Sequence, residues 1–302
     1  MEPFFIVGPT ATGKSELAAE VAQKLGAEIV SADAFQIYHG LDLLTAKPDG
    51  ATLAKARHHL IGAVPLSEEM NAEKYRAAAA DIIRDIQARG KRVFVVGGSG
   101  LYVKALTHGL AKLPTANRRL REELNEATID ELVHRLSALD PVSAKQIDRK
   151  NKRRLIRAVE VCLLSGQPFS TQRVEWNESQ PANGVLIYRN RAELYVRINQ
   201  RVEKLFADGV VEEVRSLGEI GATAKKTLGL SEIRSLLAGE FSERECVARI
   251  QQATRRYAKR QLTWFQRQTN FELLNLSTHG SSQAIELISQ TPKAFGVAQM
   301  DD

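Results

Sequence analysis

The spacing of apolar residues along the chain predicts alternating strands and helices. Unbroken apolar runs at 4–7 (FFIV) and 93–96 (VFVV) are typical of buried strands, and 27–33 (AEIVSAD) and 184–190 (GVLIYRN) predict two further short strands. The first run is followed by Leu17, Val21 and Leu25, which have the spacing of an amphipathic helix. This alternation predicts a parallel sheet with helices on both faces.

The pattern changes between residues 115 and 182, where the apolar positions have only helical spacing. A strand pattern returns at 184, so we interpret 115–182 as an all-helical insertion into a core formed by 1–114 and 183–276. The tail at 277–302 is polar, with a weak helical pattern near 282–289, and we expect part of it to be disordered.

A glycine-rich stretch lies between the first predicted strand and the first predicted helix. It has the pattern Gly, four residues, Gly-Lys-Ser, as in phosphate-binding loops, although an ordinary glycine-rich turn is the alternative. The helix N-terminus and loop amides would hold a diphosphate, Lys14 would reach its terminal phosphate, and Ser15 would bind Mg²⁺. The predicted diphosphate-binding residues are Gly8, Pro9, Thr10, Ala11, Thr12, Gly13, Lys14 and Ser15. The predicted fold class is therefore α/β: a P-loop NTPase-like parallel sheet core with helices on both faces and an all-helical insertion domain.

Charge and composition indicate an anionic partner. The 302 residues carry a formal net charge of +6. Residues 145–157 contain seven Lys or Arg and one acid, and residues 249–267 contain six Lys or Arg and no acid, with Tyr257, Trp264 and Phe265 among them. These runs are suited to nucleic-acid binding. Alternatively, the basic residues form solvated helix faces, and the aromatic residues lie in the core.

The sequence predicts neither a membrane-spanning segment nor a metal site formed by cysteines. No apolar run approaches the length of a membrane span, and no secretory signal is expected. Cys162 and Cys246 are far apart in the chain and form no metal-binding pair. We expect two buried thiols in a cytoplasmic, monomeric protein.

Two further features complete the predicted site. Asp33 ends the second predicted strand, where open α/β sheets bind ligands, and residues 97–100 (GGSG) form a second glycine-rich turn. A diphosphate loop, a carboxylate and basic helices fit a transferase with a diphosphate donor and a nucleic-acid acceptor. A small-molecule kinase on the same fold is the alternative, and the fold does not choose between them.

The order of motifs resembles that of the tRNA dimethylallyltransferase family, also called tRNA isopentenyltransferases. The resemblance covers residues 5 to about 270 and is carried by GPTATGKS, SADAFQIY, LDLLTAKPD, HHLIG, VVGGSGLYVKAL, LDPVSA, RAVEV and TRRYAKRQLTWFQRQ. It implies transfer of a dimethylallyl group from dimethylallyl diphosphate to N6 of adenosine 37, next to the anticodon, with release of pyrophosphate. The implied partners are that diphosphate and the tRNA anticodon stem-loop, and the implied cofactor is Mg²⁺.

The resemblance also implies roles for individual residues. Asp33 would be the general base, with Lys14 and Ser99 as further catalytic residues, and the adenine would be flipped out of the anticodon stack. Three residues have alternative roles: Asp33 as a hydrogen-bond acceptor for the outer ligands of Mg²⁺, Ser99 as a helix cap and Gln36 as an amide that caps a loop. The implied tRNA-binding residues are Asp33, Ala34, Phe35, Gln36, Ser99, Arg121, Arg153, Arg154, Leu155, Ile156 and Arg157.

Three departures from the family pattern bear on activity. Ala34 replaces the usual Ser, Leu44 replaces a Gly, and 226–232 (KTLGLSE) replaces an AIGYKE-like stretch. Other hypotheses stay open: a free-nucleotide isopentenyltransferase, which would not need the basic insertion, and a P-loop kinase, which would need lid arginines. A non-catalytic RNA-binding protein would not need Lys14, Ser15 and Asp33 together.

Overall fold

Six short strands form one parallel sheet in the computed structural model, which describes residues 2–172 and 183–290. They are β1 (Phe4–Val7), β2 (Glu28–Ser31), β3 (His58–His59), β4 (Val93–Gly97), β5 (Gly184–Tyr188) and β6 (Glu272–Asn275). The order across the sheet is β3-β2-β4-β1-β5-β6, and all neighbouring strands pair in parallel. The parallel sheet predicted from the sequence is confirmed.

The chain divides into two compact units, residues 1–107 with 178–302, and residues 108–177. The sequence predicts these boundaries at 114/115 and 182/183. The second of them lies at the end of residues 173–182, which are outside the described residues. The first unit contains α1 (Lys14–Leu25), α2 (Gly50–Leu53), α3 (Ala72–Ala88), α4 (Gly100–His108), α9 (Arg191–Ala207), α10 (Val210–Arg215), α11 (Leu230–Leu237), α12 (Glu243–Gln268) and α13 (Leu276–Gln290). The second contains α5 (Arg118–Glu126), α6 (Ile129–Leu139), α7 (Pro141–Gln146) and α8 (Lys152–Ser165).

The two faces of the sheet support separate apolar cores. In β1, Phe5 and Val7 face a core shared with α3 and with α9 to α12, while Phe4 and Ile6 face a core shared with α1 and α13. Alternate residues of one strand thus bury on opposite faces. This confirms the predicted helices on both faces.

Two edge strands, β3 and β6, are not predicted by the apolar pattern. The first is only two histidines long, and the second places Leu273 on the surface with 58% of its area exposed. Edge strands need no continuous apolar run, so the pattern gave no signal. The predicted tail helix at 282–289 is longer in the structure, where α13 begins at Leu276 and is interrupted at Gly280; residues 291–302 lie outside the described residues.

The second unit is built from capped helices around its own core. Asp140, in the LDPVSA motif, caps α7 by accepting a hydrogen bond from the Ser143 amide at 3.0 Å. Thr128 and Glu131 form a capping box at the start of α6. The core contains Leu132, Leu136, Leu155 and Val159, among other residues. Within the part of the chain that the structure describes, no helix combines the length and hydropathy needed to cross a membrane.

A buried carboxylate holds the amino end of the sheet. Glu28, at the start of β2, is 1% exposed and accepts hydrogen bonds from both Nη atoms of Arg89 at 2.5 and 2.9 Å. Lys91 Nζ lies at 2.9 Å and His59 Nε2 at 2.8 Å. The hydrogen bonds from Arg89 outweigh desolvation and, with those from Lys91 and His59, lower the pKa of Glu28 well below its usual value. The cluster thereby ties β2 to β3 and to the end of α3.

We expect Glu28→Gln to lower the free energy of unfolding at neutral pH by about 2–3 kcal/mol, because charge-assisted hydrogen bonds are lost. A carboxyl group with a lowered folded pKa stabilises above its unfolded pKa of about 4.3, and this stabilisation is lost as the pH falls further. Urea unfolding should therefore show the difference between wild type and variant shrinking below about pH 4. Asp81→Asn, which alters an exposed ion pair on α3, is the control and should change the unfolding free energy by less than about 0.5 kcal/mol. A difference that is independent of pH would contradict this account.

Candidate active site

The predicted phosphate-binding loop connects β1 to α1 at the carboxyl edge of the sheet. Gly13 adopts φ 92° immediately before α1, a conformation that favours glycine. Gly8 lies so close to β5 that a Cβ atom would be 2.2 Å from the carbonyl oxygen of Ile187. Thr12 is fully buried and its hydroxyl donates to the carbonyl of Pro9 at 2.9 Å. Close packing and internal hydrogen bonds thus fix the loop at the helix N-terminus.

Three arginines that the sequence analysis did not single out hold the outside of this loop. Arg189 Nε donates to the Thr12 carbonyl at 2.8 Å, and Arg197 Nε donates to the Ala11 carbonyl at 2.9 Å. Arg201 Nη1 donates to the Thr10 hydroxyl at 2.8 Å. Little in the sequence indicates this role. Arg197 and Arg201 lie one helical turn apart, but the amphipathic pattern of α9 does not indicate which part of the protein they contact.

The cations beside the loop are partly withdrawn from water. Burial lowers the pKa of Lys14 and of Arg201, and in both cases the charge of Asp33 opposes this effect. Uncompensated cations are costly to desolvate, so an anionic ligand in this position would be stabilised.

The Asp33 carboxylate is fixed by backbone amides of the turn that follows β2. Its Oδ1 accepts hydrogen bonds from Phe35 N at 2.9 Å and Gln36 N at 3.2 Å, and the described residues give Oδ2 no hydrogen bond. The Ser99 hydroxyl accepts from Ala34 N at 2.8 Å, and the Ser99 amide donates to the Ala32 carbonyl at 3.1 Å. The Ser99 hydroxyl therefore secures the Asp33 turn rather than capping α4.

The Gln36 side chain caps a loop, which is the alternative role predicted for it from the sequence. Its Nε2 donates to the carbonyls of Thr45 at 3.2 Å and Ala46 at 2.9 Å, so the amide caps a loop. These bonds orient the Gln36 side chain, and Gln36 lines the same polar cavity as Lys14 and Ser15.

Two cavities meet at Asp33. The polar one is about 420 Å³, and the residues that line it include Lys14, Ser15, Gln36, Lys47, Asp49 and Arg197. The apolar one is about 60 Å³, and the residues that line it include Leu205, Phe206, Val210, Leu228, Ile233 and Ile250. Thr10, Asp33, Thr45 and Arg201 line both. The carboxylate is thus placed between a cationic cavity and a hydrocarbon-lined one.

Two of the departures from the family pattern affect the apolar cavity. Leu44 and Leu228 both line it. The amide of Leu44 donates to Glu213 Oε2 at 2.8 Å, so a carboxylate on α10 holds this loop in place. The third departure, Ala34, keeps its backbone bond to Ser99 without needing a side-chain hydroxyl.

Magnesium would need ligands beyond those of the protein. Among residues 2–172 and 183–290, no group of three or more His, Cys, Asp or Glu side chains could hold a metal ion. Ser15 and Asp33 line the polar cavity together with Lys14. This donor set fits Mg²⁺ held by one or two protein oxygens and by phosphate oxygens of a substrate.

The residues of the second unit that were predicted to bind tRNA differ in their burial and in their ion pairs. Arg121 donates to the buried carboxylate of Glu160 at 2.9 and 3.0 Å, and Arg157 donates to it at 2.6 Å. Arg153 and Arg154 are exposed, as expected for residues that contact a ligand. Leu155 and Ile156 were predicted as tRNA contacts, but their side chains are buried in the core of the unit and pack there instead.

The basic run on α12 is also partly paired. Arg249 binds Glu245 on the preceding turn at 2.7 Å, so the run has an acidic partner just outside its own range. Arg256, Lys259 and Arg267 are exposed, whereas Phe265 is fully buried. Trp264 packs against Gly100, so both aromatic residues take the core positions given as the alternative.

Comparison with known proteins gives one consistent family. Residues 36–268 match the family model described as IPP transferase. The chain is 46% identical over 265 residues to tRNA dimethylallyltransferase 1 of Citrifermentans bemidjiense, covering 85% of this chain and 87% of that protein. It is 41% identical over 281 residues to tRNA dimethylallyltransferase of Akkermansia muciniphila, covering 93% and 96%.

Solved structures of this type have the same fold. A full-length tRNA isopentenylpyrophosphate transferase from Bacillus halodurans is similar with a TM-score of 0.70 at 31% identity, covering 95% of this chain and 94% of that chain. A tRNA delta(2)-isopentenylpyrophosphate transferase from Staphylococcus epidermidis gives 0.68 at 31% identity, covering 95% and 98%. A eukaryotic dimethylallyltransferase acting on tRNA gives 0.77 at 24% identity, which shows the fold alone and covers 94% and 77%.

We expect Glu160→Ala to lower the free energy of unfolding by about 2–3 kcal/mol, because Glu160 is completely buried and accepts bonds from Arg121, Arg157 and the Asn117 amide. Thermal and urea unfolding would measure the loss. The control is Glu122→Ala, which removes an exposed ion pair in the same unit and should cost less than about 0.5 kcal/mol beyond its effect on helix propensity. Equal effects of the two changes would contradict a structural role for Glu160.

Proposed function

The chain belongs to the IPP transferase family and is a tRNA prenyltransferase, and we propose how its own residues bind the substrates and carry out the transfer. The donor in this proposal is dimethylallyl diphosphate, and the acceptor is N6 of adenosine 37. The observation that carries the proposal is the junction of the polar and apolar cavities at Asp33. A molecule with a diphosphate at one end and a branched hydrocarbon at the other fits both cavities with its reactive carbon near the carboxylate.

The chemistry follows from this placement. The N6 amine is a weak nucleophile, because its lone pair is delocalised into the adenine ring. As N6 bonds to C1 of the donor, the C1–O bond breaks, pyrophosphate leaves with the electron pair, and the N6 proton passes to Asp33. The backbone turn fixes Asp33 through Oδ1, so Oδ2 is the oxygen proposed to accept the proton.

The leaving pyrophosphate needs positive charge around it. We assign this role to the amides of residues 11–15 and to Lys14 and Arg201, two cations whose lowered pKa values reflect their withdrawal from water. Ser15 would contribute a hydroxyl ligand to Mg²⁺ together with donor phosphate oxygens. The bound ion would neutralise part of the diphosphate charge.

The acceptor nucleotide has to leave the anticodon stack to reach Asp33. We propose that the turn formed by Asp33, Ala34, Phe35 and Gln36, with Ser99 behind it, receives the flipped adenine. The exposed Arg153 and Arg154 would contact phosphates of the anticodon stem-loop, while Arg121, Leu155, Ile156 and Arg157 would shape the helical unit that presents them. The exposed cations of α12 would supply further phosphate contacts.

The other hypotheses are less well supported. The relatives matched over most of the chain are named for transfer to tRNA, which favours tRNA over a free nucleotide or a kinase substrate. The apolar cavity beside Asp33 also has no role in phosphoryl transfer. A cytoplasmic location and a monomeric state remain predictions from the sequence.

We expect Asp33→Asn to reduce transfer to tRNA by at least about 10³-fold, because general-base assistance is lost. Its affinity for tRNA should stay within a few-fold of wild type. The assay incubates enzyme, dimethylallyl diphosphate, Mg²⁺ and unmodified tRNA or AMP, and reads nucleoside products by mass spectrometry. Asp208→Asn, at the end of α9, is the control. A fully active Asp33→Asn enzyme would remove Asp33 from the role of base, and transfer to AMP alone would favour the free-nucleotide hypothesis.

We also expect the affinity for tRNA to fall steeply with salt, since several phosphate contacts each release counterions. Replacing both Arg153 and Arg154 by Ala should weaken binding and reduce the slope of log affinity against log salt by about 1–2. Fluorescence titration at several salt concentrations would measure the slope. Arg84→Ala, an exposed arginine of α3, should leave it unchanged. A wild-type affinity that does not depend on salt would refute the role given to the basic residues.

A further inference from the structure

A single buried side chain on α12 connects the two glycine-rich turns of the site. Gln261 is 7% exposed. Its Oε1 accepts a hydrogen bond from the Thr10 amide at 2.9 Å, and its Nε2 donates to the Gly98 carbonyl at 2.9 Å. One amide group thus uses its acceptor on the phosphate-binding loop and its donor on the turn that precedes Ser99.

The second glycine-rich turn is shaped to receive this helix. A Cβ atom on Gly98 would lie 2.2 Å from Gln261 Nε2, and one on Gly100 would lie 2.2 Å from the Trp264 ring. Tyr257 is one turn before Gln261 on the same face of α12, and it lines the apolar cavity together with Asp33. Contact with α12 thus accounts for Gly98 and Gly100, while Gly97 is packed against the backbone of Ala32.

The two connected turns serve the two substrates under the proposed function. Thr10 belongs to the loop assigned to the diphosphate. The Gly98 turn leads into Ser99, whose hydroxyl holds the Ala34 amide and therefore the turn that carries Asp33. We propose that Gln261 is a positioning residue that sets the geometry of the diphosphate loop relative to the general base.

The chemistry of the amide makes this role testable by pH. An amide has both a donor and an acceptor, whereas an ionised carboxylate has acceptors only. In Gln261→Glu the ionised side chain would face the Gly98 carbonyl without a donor, and the protonated side chain would restore both hydrogen bonds. Gln261→Met keeps the size of the side chain and removes both bonds at every pH.

The experiment measures steady-state transfer to tRNA and, separately, pyrophosphate binding by calorimetry for wild type and both variants. Gln261→Met should lower kcat/KM for dimethylallyl diphosphate by about 20-fold and weaken pyrophosphate binding about fivefold, as expected for one or two lost hydrogen bonds. Its affinity for tRNA should not change. The activity of Gln261→Glu relative to wild type should rise as the pH falls from about 8 to 6, while that of Gln261→Met should stay constant. Gln266→Met, an exposed change on the same helix, is the control and should match wild type.

The inference rests on the proposed function, but the two can fail separately. Wild-type enzyme that transfers nothing would overturn the proposed function, while weaker pyrophosphate binding by Gln261→Met would still support the connection to the loop. Wild-type values of both KM and pyrophosphate affinity in Gln261→Met would overturn the inference. So would a relative activity of Gln261→Glu that does not change with pH in a variant whose thermal unfolding matches that of wild type.

Discussion

The site depends on the parallel direction of all strands in the sheet. Since the carboxyl ends of parallel strands meet at one edge, the turns after β1, β2 and β4 lie together although they are far apart in sequence. The spacing between them is set by backbone contacts too close for side chains, at Gly8 against β5 and at Gly97 against Ala32. The glycine-rich loop proposed to bind the diphosphate, the Asp33 turn and the Ser99 turn therefore form one surface before any ligand contributes.

Much of this arrangement was predictable because its signals are local. The signals for the glycine-rich loop before α1 and for the Asp33 turn each lie within a few consecutive residues, and the structure has both features. The arginines that hold the loop, and Gln261, were not found because their partners are about 160 to 250 residues away. Edge strands β3 and β6 were missed for a related reason, since pairing with a neighbour and not apolar content defines them.

Charge was the signal most prone to over-interpretation. A run of basic residues gives the number of cations but not which of them are already neutralised. Glu160 is distant in sequence from Arg121, and once folded it binds both Arg121 and Arg157. Arg249 is similarly paired with Glu245. The cations left for an external phosphate are fewer than the sequence suggests, and they are those that pair with no acid among the described residues, such as the exposed Arg153 and Arg154.

The small volume of the apolar cavity has a consequence for the choice of donor. Each additional buried CH₂ contributes about 0.8 kcal/mol to binding, so an open groove would favour longer prenyl diphosphates over a five-carbon one. The cavity is lined by side chains of α9 to α12 together with Leu44 and Leu228, which come from the stretches that depart from the family pattern, and its volume is only about 60 Å³. Under the proposed assignment, the wall of the cavity excludes prenyl groups longer than five carbons. This steric exclusion opposes the tighter binding that longer prenyl groups would otherwise gain from hydrophobic burial.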